Sequence, residues 1–182
     1  MAEERALRAD ARRNRAAIVM AARAAFDHGE HLRFDDFAGR AGVGVGTLYR
    51  HFPTREALAA AVYQDEVRAL CERAYDSTAP AGEALAEFLR GFVEYVVAHA
   101  ALARTLAALV GAQLQAEGGV DLERTVADLI DRASADGTIR EGVSPGAVMV
   151  VLHGIGSAVD RPLWESEARA AIELLIDGIA AR

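Results

Sequence analysis

The sequence predicts an all-α fold of about nine helices, a small N-terminal unit followed by a larger helical one, on three observations. Apolar residues fill 52% of the 182 positions, many of them alanine, and there are only four prolines; this is a helix-forming composition, not a disordered one. Apolar residues recur at three- and four-residue steps in segment after segment, which puts them on one buried helical face. The period-two alternation of strands is missing, and so are internal repeats and low-complexity tracts. A chain of this length can bury a sizeable core. The segment Ser77-Thr78-Ala79-Pro80-Ala81-Gly82 is the best break in it, so the expected domains are residues 1–76 and 77–182.

Residues 1–11 carry Arg5 and Arg8 among few apolar residues and read as a mobile arm. A helix follows from Arg12 to about His28, with Ala17, Ile18, Ala21, Ala22, Ala25 and Phe26 inward and Gly29 as its stop. Phe34, Phe37, Ala38 and Ala41 share the face of a short second helix, which Gly42 ends by entering the left-handed conformation that glycine tolerates. Leu48 and Phe52, four apart, form the inner face of a third helix, and Pro53 prevents it from continuing. Two short helices across a tight glycine turn form a helix-turn-helix over about residues 33–52, whose second helix enters the DNA major groove.

The run Ala41-Gly42-Val43-Gly44-Val45-Gly46-Thr47-Leu48-Tyr49-Arg50-His51-Phe52, continued by Pro53-Thr54-Arg55-Glu56-Ala57-Leu58, resembles the TetR-type transcriptional regulators. The match spans roughly Arg12 to Leu58; beyond it the likeness rests on helix layout. It implies a dimeric DNA-binding regulator, a repressor released by a small molecule bound in the larger domain, with no cofactor. Val45, Gly46, Thr47, Tyr49, Arg50 and His51 line the outward part of the recognition helix. Thr47 and Arg50 are the candidates for reading base edges, arginine by donating to guanine O6 and N7. Tyr49 and His51 resemble the family's phosphate contacts, as does Arg55, where the family usually has lysine. The glycines at 44 and 46 leave little bulk between backbone and DNA. Two positions depart from the commonest pattern: Arg33 stands where Ser or Thr often caps the first helix of the motif, and Gly44 where Ser often caps the recognition helix. Both count among the expected DNA-facing residues. The arm before Arg12 either reaches a minor groove, as in some relatives, or is a solvated tail.

Thr54 caps a fourth helix that runs to about Asp76 through Ala59, Tyr63, Val67, Leu70 and Ala74, with Cys71 beside the stripe as a small buried hydrophobe. This helix belongs to both halves and is the natural lever between them. Leu85, Phe88, Phe92, Tyr95 and His99 share one face of a helix over about Gly82 to Ala100. Read alone, the stripe is plain core; the resemblance, in which ligands enter between helices of this domain, makes Phe88, Phe92, Tyr95 and His99 candidates for an apolar effector pocket. Gln113, Met149, His153 and Trp164 are further candidates. A helix from about Leu102 to Gln115 is interrupted by Gly111. Gly118-Gly119 breaks the chain, and Asp121 to about Ala135 is helical through Leu122, Val126, Leu129 and Ile130. Asp136-Gly137 forms a turn, and Ser144-Pro145 is a capped helix start. From Ala147 to Val159 the chain is apolar on nearly every face, which calls for cover from a partner subunit. The last helix, from about Glu165 to Ala180, presents Ala168, Ile172, Leu175 and Ile179. Val148, Leu152, Ile155, Val159, Ile172, Leu175 and Ile179 are therefore the expected interface of a homodimer, a four-helix bundle across a twofold axis.

The net charge of −7 argues against a nucleic-acid partner only if it is spread evenly. Residues 1–56 hold ten arginines against eight carboxylates, and the rest ten against nineteen. Phosphate attraction is screened within roughly 8–10 Å, so an acidic body can carry a weakly basic DNA-reading end. Every cation is arginine. One cysteine excludes an internal disulfide and fits a reducing compartment. With no apolar signal core or membrane-length apolar run, the expected location is cytoplasmic, without membrane contact. Enzymatic readings find little support. The alternating glycines at 42, 44 and 46 lack a preceding strand and dinucleotide-binding spacing, and no Gly-x-Ser-x-Gly occurs. The five histidines and one cysteine have no metal-ligand spacing: His28 and His31 sit at a helix end without partners.

Overall fold

A computed structural model describes residues 1–28, 30, 32–100, 102, 104 and 119–181. Among these there are eight helices, and the only β pairing is an isolated bridge between Ile139 and Ala180. They are α1 (Ala2–Asp27), α2 (Asp36–Arg40), α3 (Val45–His51), α4 (Arg55–Asp76), α5 (Ala81–Ala98), α6 (Gly119–Ala135), α7 (Pro145–Ser157) and α8 (Trp164–Ile179). The chain divides into two compact units, Met1–Tyr63 and Gln64–Arg182, and α4 begins in the first and ends in the second.

In the first unit, α1 starts ten residues earlier than its apolar stripe indicates. The expected mobile arm is helical, because Ala2 to Ala11 contains only good or fair helix formers and no breaker. The core gathers Ile18, Val19, Ala22 and Phe26 of α1, Phe37 and Ala38 of α2, and Leu48 of α3, all buried. The helix α2 is shorter than the apolar spacing suggests, since Phe34 and Asp35 form a turn before it. Its start is closed by a reach-back bond, in which the Arg33 N–H donates to Asp36 Oδ2 at 2.9 Å. Its end is a Schellman motif: Val43 N–H donates to the Ala38 carbonyl and Gly42 N–H to that of Gly39, with Gly42 at φ +68°. A Cβ at Gly42 would meet nothing within 4 Å. Gly42→Ala therefore isolates the backbone cost of the left-handed conformation, an expected loss of about 1–2 kcal/mol in urea unfolding. Thr54 caps α4 as its sequence indicates, Oγ1 accepting from Ala57 N–H at 3.1 Å.

In the second unit α5 is central, in contact with α6, α7 and α8. Its buried residues, among them Leu85, Phe88, Leu89, Phe92, Val93 and Val96, cover well over half its circumference. The helices α5 and α8 lie antiparallel and are cross-tied by two reciprocal ion pairs. Arg90 clasps Glu173 at 2.6 and 2.7 Å, and Arg169 clasps Glu94 at 2.7 and 2.9 Å. Hydrogen bonds from the arginines hold both glutamates below the usual carboxylate range. All four side chains are about half exposed, so the pairs fix register more than they add stability. A polar seam joins the end of α4 to α6: the Tyr75 hydroxyl donates to Asp128 Oδ2 at 2.8 Å and accepts from buried Thr125 at 3.5 Å. One helical turn back, the Cys71 thiol points to the Asp121 carbonyl at 3.9 Å. Gly82 admits close approach, because a Cβ there would lie 2.8 Å from Thr138 Cβ.

The Ser144 hydroxyl caps α7 by accepting from Ala147 N–H. The helix α7 is apolar on nearly every face, as its sequence indicates, and the single chain leaves part of it uncovered, with Val150 70% exposed. Six residues assigned from sequence to a subunit contact, Val148, Leu152, Ile155, Val159, Ile172 and Ile179, are already buried within one chain. Leu175 is half-buried. These residues are inward because α7 packs mainly on α6, and α8 on α5, and their apolar outer faces gave the sequence no way to tell inside from outside. The expected helix from Leu102 to Gln115 lies outside the described residues, apart from Leu102, which is buried, and Arg104, which pairs with Asp160. No helix among the described residues is long and apolar enough to cross a membrane.

Candidate nucleic-acid interface

The helix α3 is built to expose one face. Gly44, in extended conformation, caps it, its carbonyl accepting from Thr47 and Leu48 N–H. Leu48 is fully buried and Phe52 nearly so, which anchors the helix from beneath. With Leu48 inward, Val45, Gly46, Tyr49 and Arg50 are exposed and Thr47 and His51 half-exposed. Gly44 and Arg33 are exposed as well. Phe52 is covered by the Arg15 guanidinium, 5.3 Å from its ring centre.

Tyr49 is held rather than loose. Its ring meets Phe34 edge-on at 5.2 Å, and its hydroxyl donates to Asp35 Oδ1 at 2.9 Å. That hydrogen bond, with burial and the carboxylate charge, raises the phenol pKa. Sequence reasoning missed Asp35: it sits fourteen residues from its partner, and nothing in the local pattern marks it. Arg40 makes a two-pronged pair with Glu30 at 2.6 and 3.0 Å.

Arg55, expected from the resemblance to face a phosphate, is half-buried. Its guanidinium lies over Phe26 and Phe37, 5.5 and 5.4 Å from the ring centres, and donates to the Leu32 carbonyl at 2.6 Å. Arginine's flat, delocalised and weakly hydrated cation suits this stacking better than the ammonium of lysine.

The pocket candidates differ in burial. Phe88 and Phe92 are core, and Met149 is buried. Tyr95 and His99 are half-buried, their rings tilted by 34° with centres 4.4 Å apart, and His99 Nδ1 donates to the Tyr95 carbonyl at 2.7 Å. The Trp164 indole N–H is spent on the Ile155 carbonyl at 2.7 Å, closing the last turn of α7. His153 is exposed, and Gln113 lies outside the described residues. Among the described residues, no three His, Cys, Asp or Glu side chains are grouped to hold a metal ion.

A helix-turn-helix with an exposed second helix, followed by a separate all-helical unit, defines the class of one-component transcriptional regulators. Residues 18–62 match the family described as bacterial regulatory proteins, tetR family, and residues 80–181 match the SbtR-like transcriptional regulator C-terminal domain. The chain belongs to the TetR family of transcriptional regulators. Among solved structures it is similar to a TetR transcriptional regulator from Streptomyces coelicolor, with 32% identity over 92% of this chain and 98% of that one, at a TM-score of 0.64. A TetR regulatory protein from Mycobacterium vanbaalenii is also 32% identical, over 96% and 99% of the two chains, at 0.65. FadR from Bacillus subtilis, solved in complex with stearoyl-CoA, shares the fold at 17% identity, 90% and 98% coverage and a TM-score of 0.65. No curated protein sequence is significantly similar to the chain.

Proposed function

We propose that the protein is a dimeric, sequence-specific DNA-binding repressor released by a small apolar effector. The observation that carries this reading is the exposed face of α3, with Thr47, Tyr49 and Arg50 outward and Leu48 wholly buried. Arg50 and Thr47 read base edges, while Tyr49 and His51 approach phosphates. Val45, Gly44, Gly46 and Arg33 border the contact. A titration of the DNA upstream of the protein's own gene, followed by fluorescence anisotropy at several salt concentrations, tests it. Affinity should fall steeply with salt, and random DNA should bind far more weakly. Equal binding to both at every salt concentration would sink the reading.

A dimer is supported by the apolar residues that the chain leaves uncovered. On α7, Val150 and Gly154 are exposed and Val151 half-buried; on α8, Ala170 and Leu174 are exposed and Ala171 and Leu175 half-buried. They fall at helical three- and four-residue spacing. A partner subunit meets this outward set, which shares only Leu175 with the residues chosen by sequence. Leu174→Asp is expected to turn a dimer into a monomer in sedimentation velocity with little change in helix content. A variant that still sediments as a dimer assigns the contact elsewhere. Two protomers related by a twofold axis read a palindromic operator, with half-sites about one duplex turn apart.

The effector is a small apolar molecule held among the helices of the second unit. The half-buried Tyr95–His99 pair at the end of the α5 aromatic stripe supports this. An effector releases DNA only by favouring the spacing of recognition helices that misfits it, and a coupling of about 1–3 kcal/mol gives roughly 5- to 150-fold release.

A further inference from the structure

We propose that Arg55 is a positioning residue for DNA recognition, acting through a string of contacts that ends on Tyr49 and not through a phosphate of its own. The proposal rests on the DNA-binding reading and extends it to the first residue of α4. The guanidinium stacks over Phe26 of α1 and Phe37 of α2 and donates to the Leu32 carbonyl. Phe37 meets Phe34 edge-on at 6.4 Å, and Phe34 meets Tyr49 edge-on at 5.2 Å. Asp35, next to Phe34, receives the Tyr49 hydroxyl. The Leu32–Asp35 segment is thus fixed from behind by a cation and presents both the ring edge and the carboxylate that hold Tyr49.

The three contacts of the guanidinium are ones that arginine makes together better than lysine. The planar guanidinium can lie against two rings while one N–H reaches a carbonyl, whereas a lysine ammonium is a strongly hydrated point charge. A phosphate contact orders the residues differently, because there lysine supplies the same charge. Arg55→Lys therefore separates the two roles, with Arg55→Ala as the reference.

The experiment measures operator affinity against salt for wild type, Arg55→Lys and Arg55→Ala, together with the Tyr49 ring signals by NMR in the DNA-free proteins. Both variants are expected to bind the operator roughly tenfold more weakly, a loss typical of one desolvated cation–aromatic and one charge-assisted contact. The slope of log affinity on log salt should stay at its wild-type value in both, and the Tyr49 signals should shift in both. Wild-type affinity in Arg55→Lys overturns the proposal. So does a slope reduced by about one in Arg55→Ala, the mark of a lost phosphate contact. If wild type itself shows no salt-dependent binding, the DNA reading fails; unmoved Tyr49 signals in Arg55→Lys overturn the brace independently. Should the Arg55 variants fail to fold, Phe34→Leu interrupts the same string one step on. It should shift the Tyr49 signals and weaken binding at unchanged slope, and wild-type behaviour in it overturns the proposal.

Discussion

Phe37→Ala should remove about 3–5 kcal/mol from the stability of the N-terminal unit, the usual cost of truncating a fully buried phenylalanine. Phe37 is 0% exposed, lies 6.1 Å from the Phe26 ring and 6.4 Å from that of Phe34, and carries the Arg55 guanidinium on its face. Truncation leaves a cavity where α1, α2 and the start of α4 converge, and it strips a partner from a half-buried cation. Native domains are stable by only about 5–15 kcal/mol, so the variant should begin to unfold at much lower urea when followed by far-UV circular dichroism. Phe37→Leu keeps most of the bulk and should lose considerably less. A shift no larger for alanine than for leucine would mean that the aromatic cluster is not what holds the unit together.

Arg50→Ala has the largest expected effect on recognition, about 1–3 kcal/mol of discrimination between operator and random DNA. Arg50 is exposed on α3, and a guanidinium that meets a guanine through two hydrogen bonds contributes selectivity as well as charge. The loss should fall mainly on operator binding, with random DNA weakened only by one cation's worth of salt-dependent affinity. Anisotropy with the two DNAs in parallel measures the ratio directly. An unchanged ratio would move the base-reading role off Arg50, leaving Thr47 as the residue to replace next.

The N-terminal half was legible because its signals are local. Gly42 at positive φ, the Pro53 stop, the Thr54 cap and the inward Leu48 and Phe52 are each fixed by neighbours within a turn. The aromatic stripe of α5 and the Ser144 cap of α7 were equally readable. What the chain hid depends on distance in space. Arg55 reads as a surface cation until Leu32, twenty-three residues away, and two rings are brought to it. On α7, Val148 and Val150 are chemically identical, yet one is buried and the other 70% exposed; no periodicity separates them when every face is apolar. Reading the first residues as an arm failed for a different reason. Alanine, arginine and glutamate form a helix by propensity alone, and the stripe of buried residues starts only where there is something to pack against.

Cys71 has a consequence for watching the molecule breathe. The residue is 4% exposed, its thiol lies where α4 meets α6, and it is the chain's only cysteine; burial also pushes the thiol pKa up. In the closed state it should be slow to react with an alkylating reagent. The rate of modification under native conditions then clocks how often that helix pair parts, a one-site stopwatch for opening.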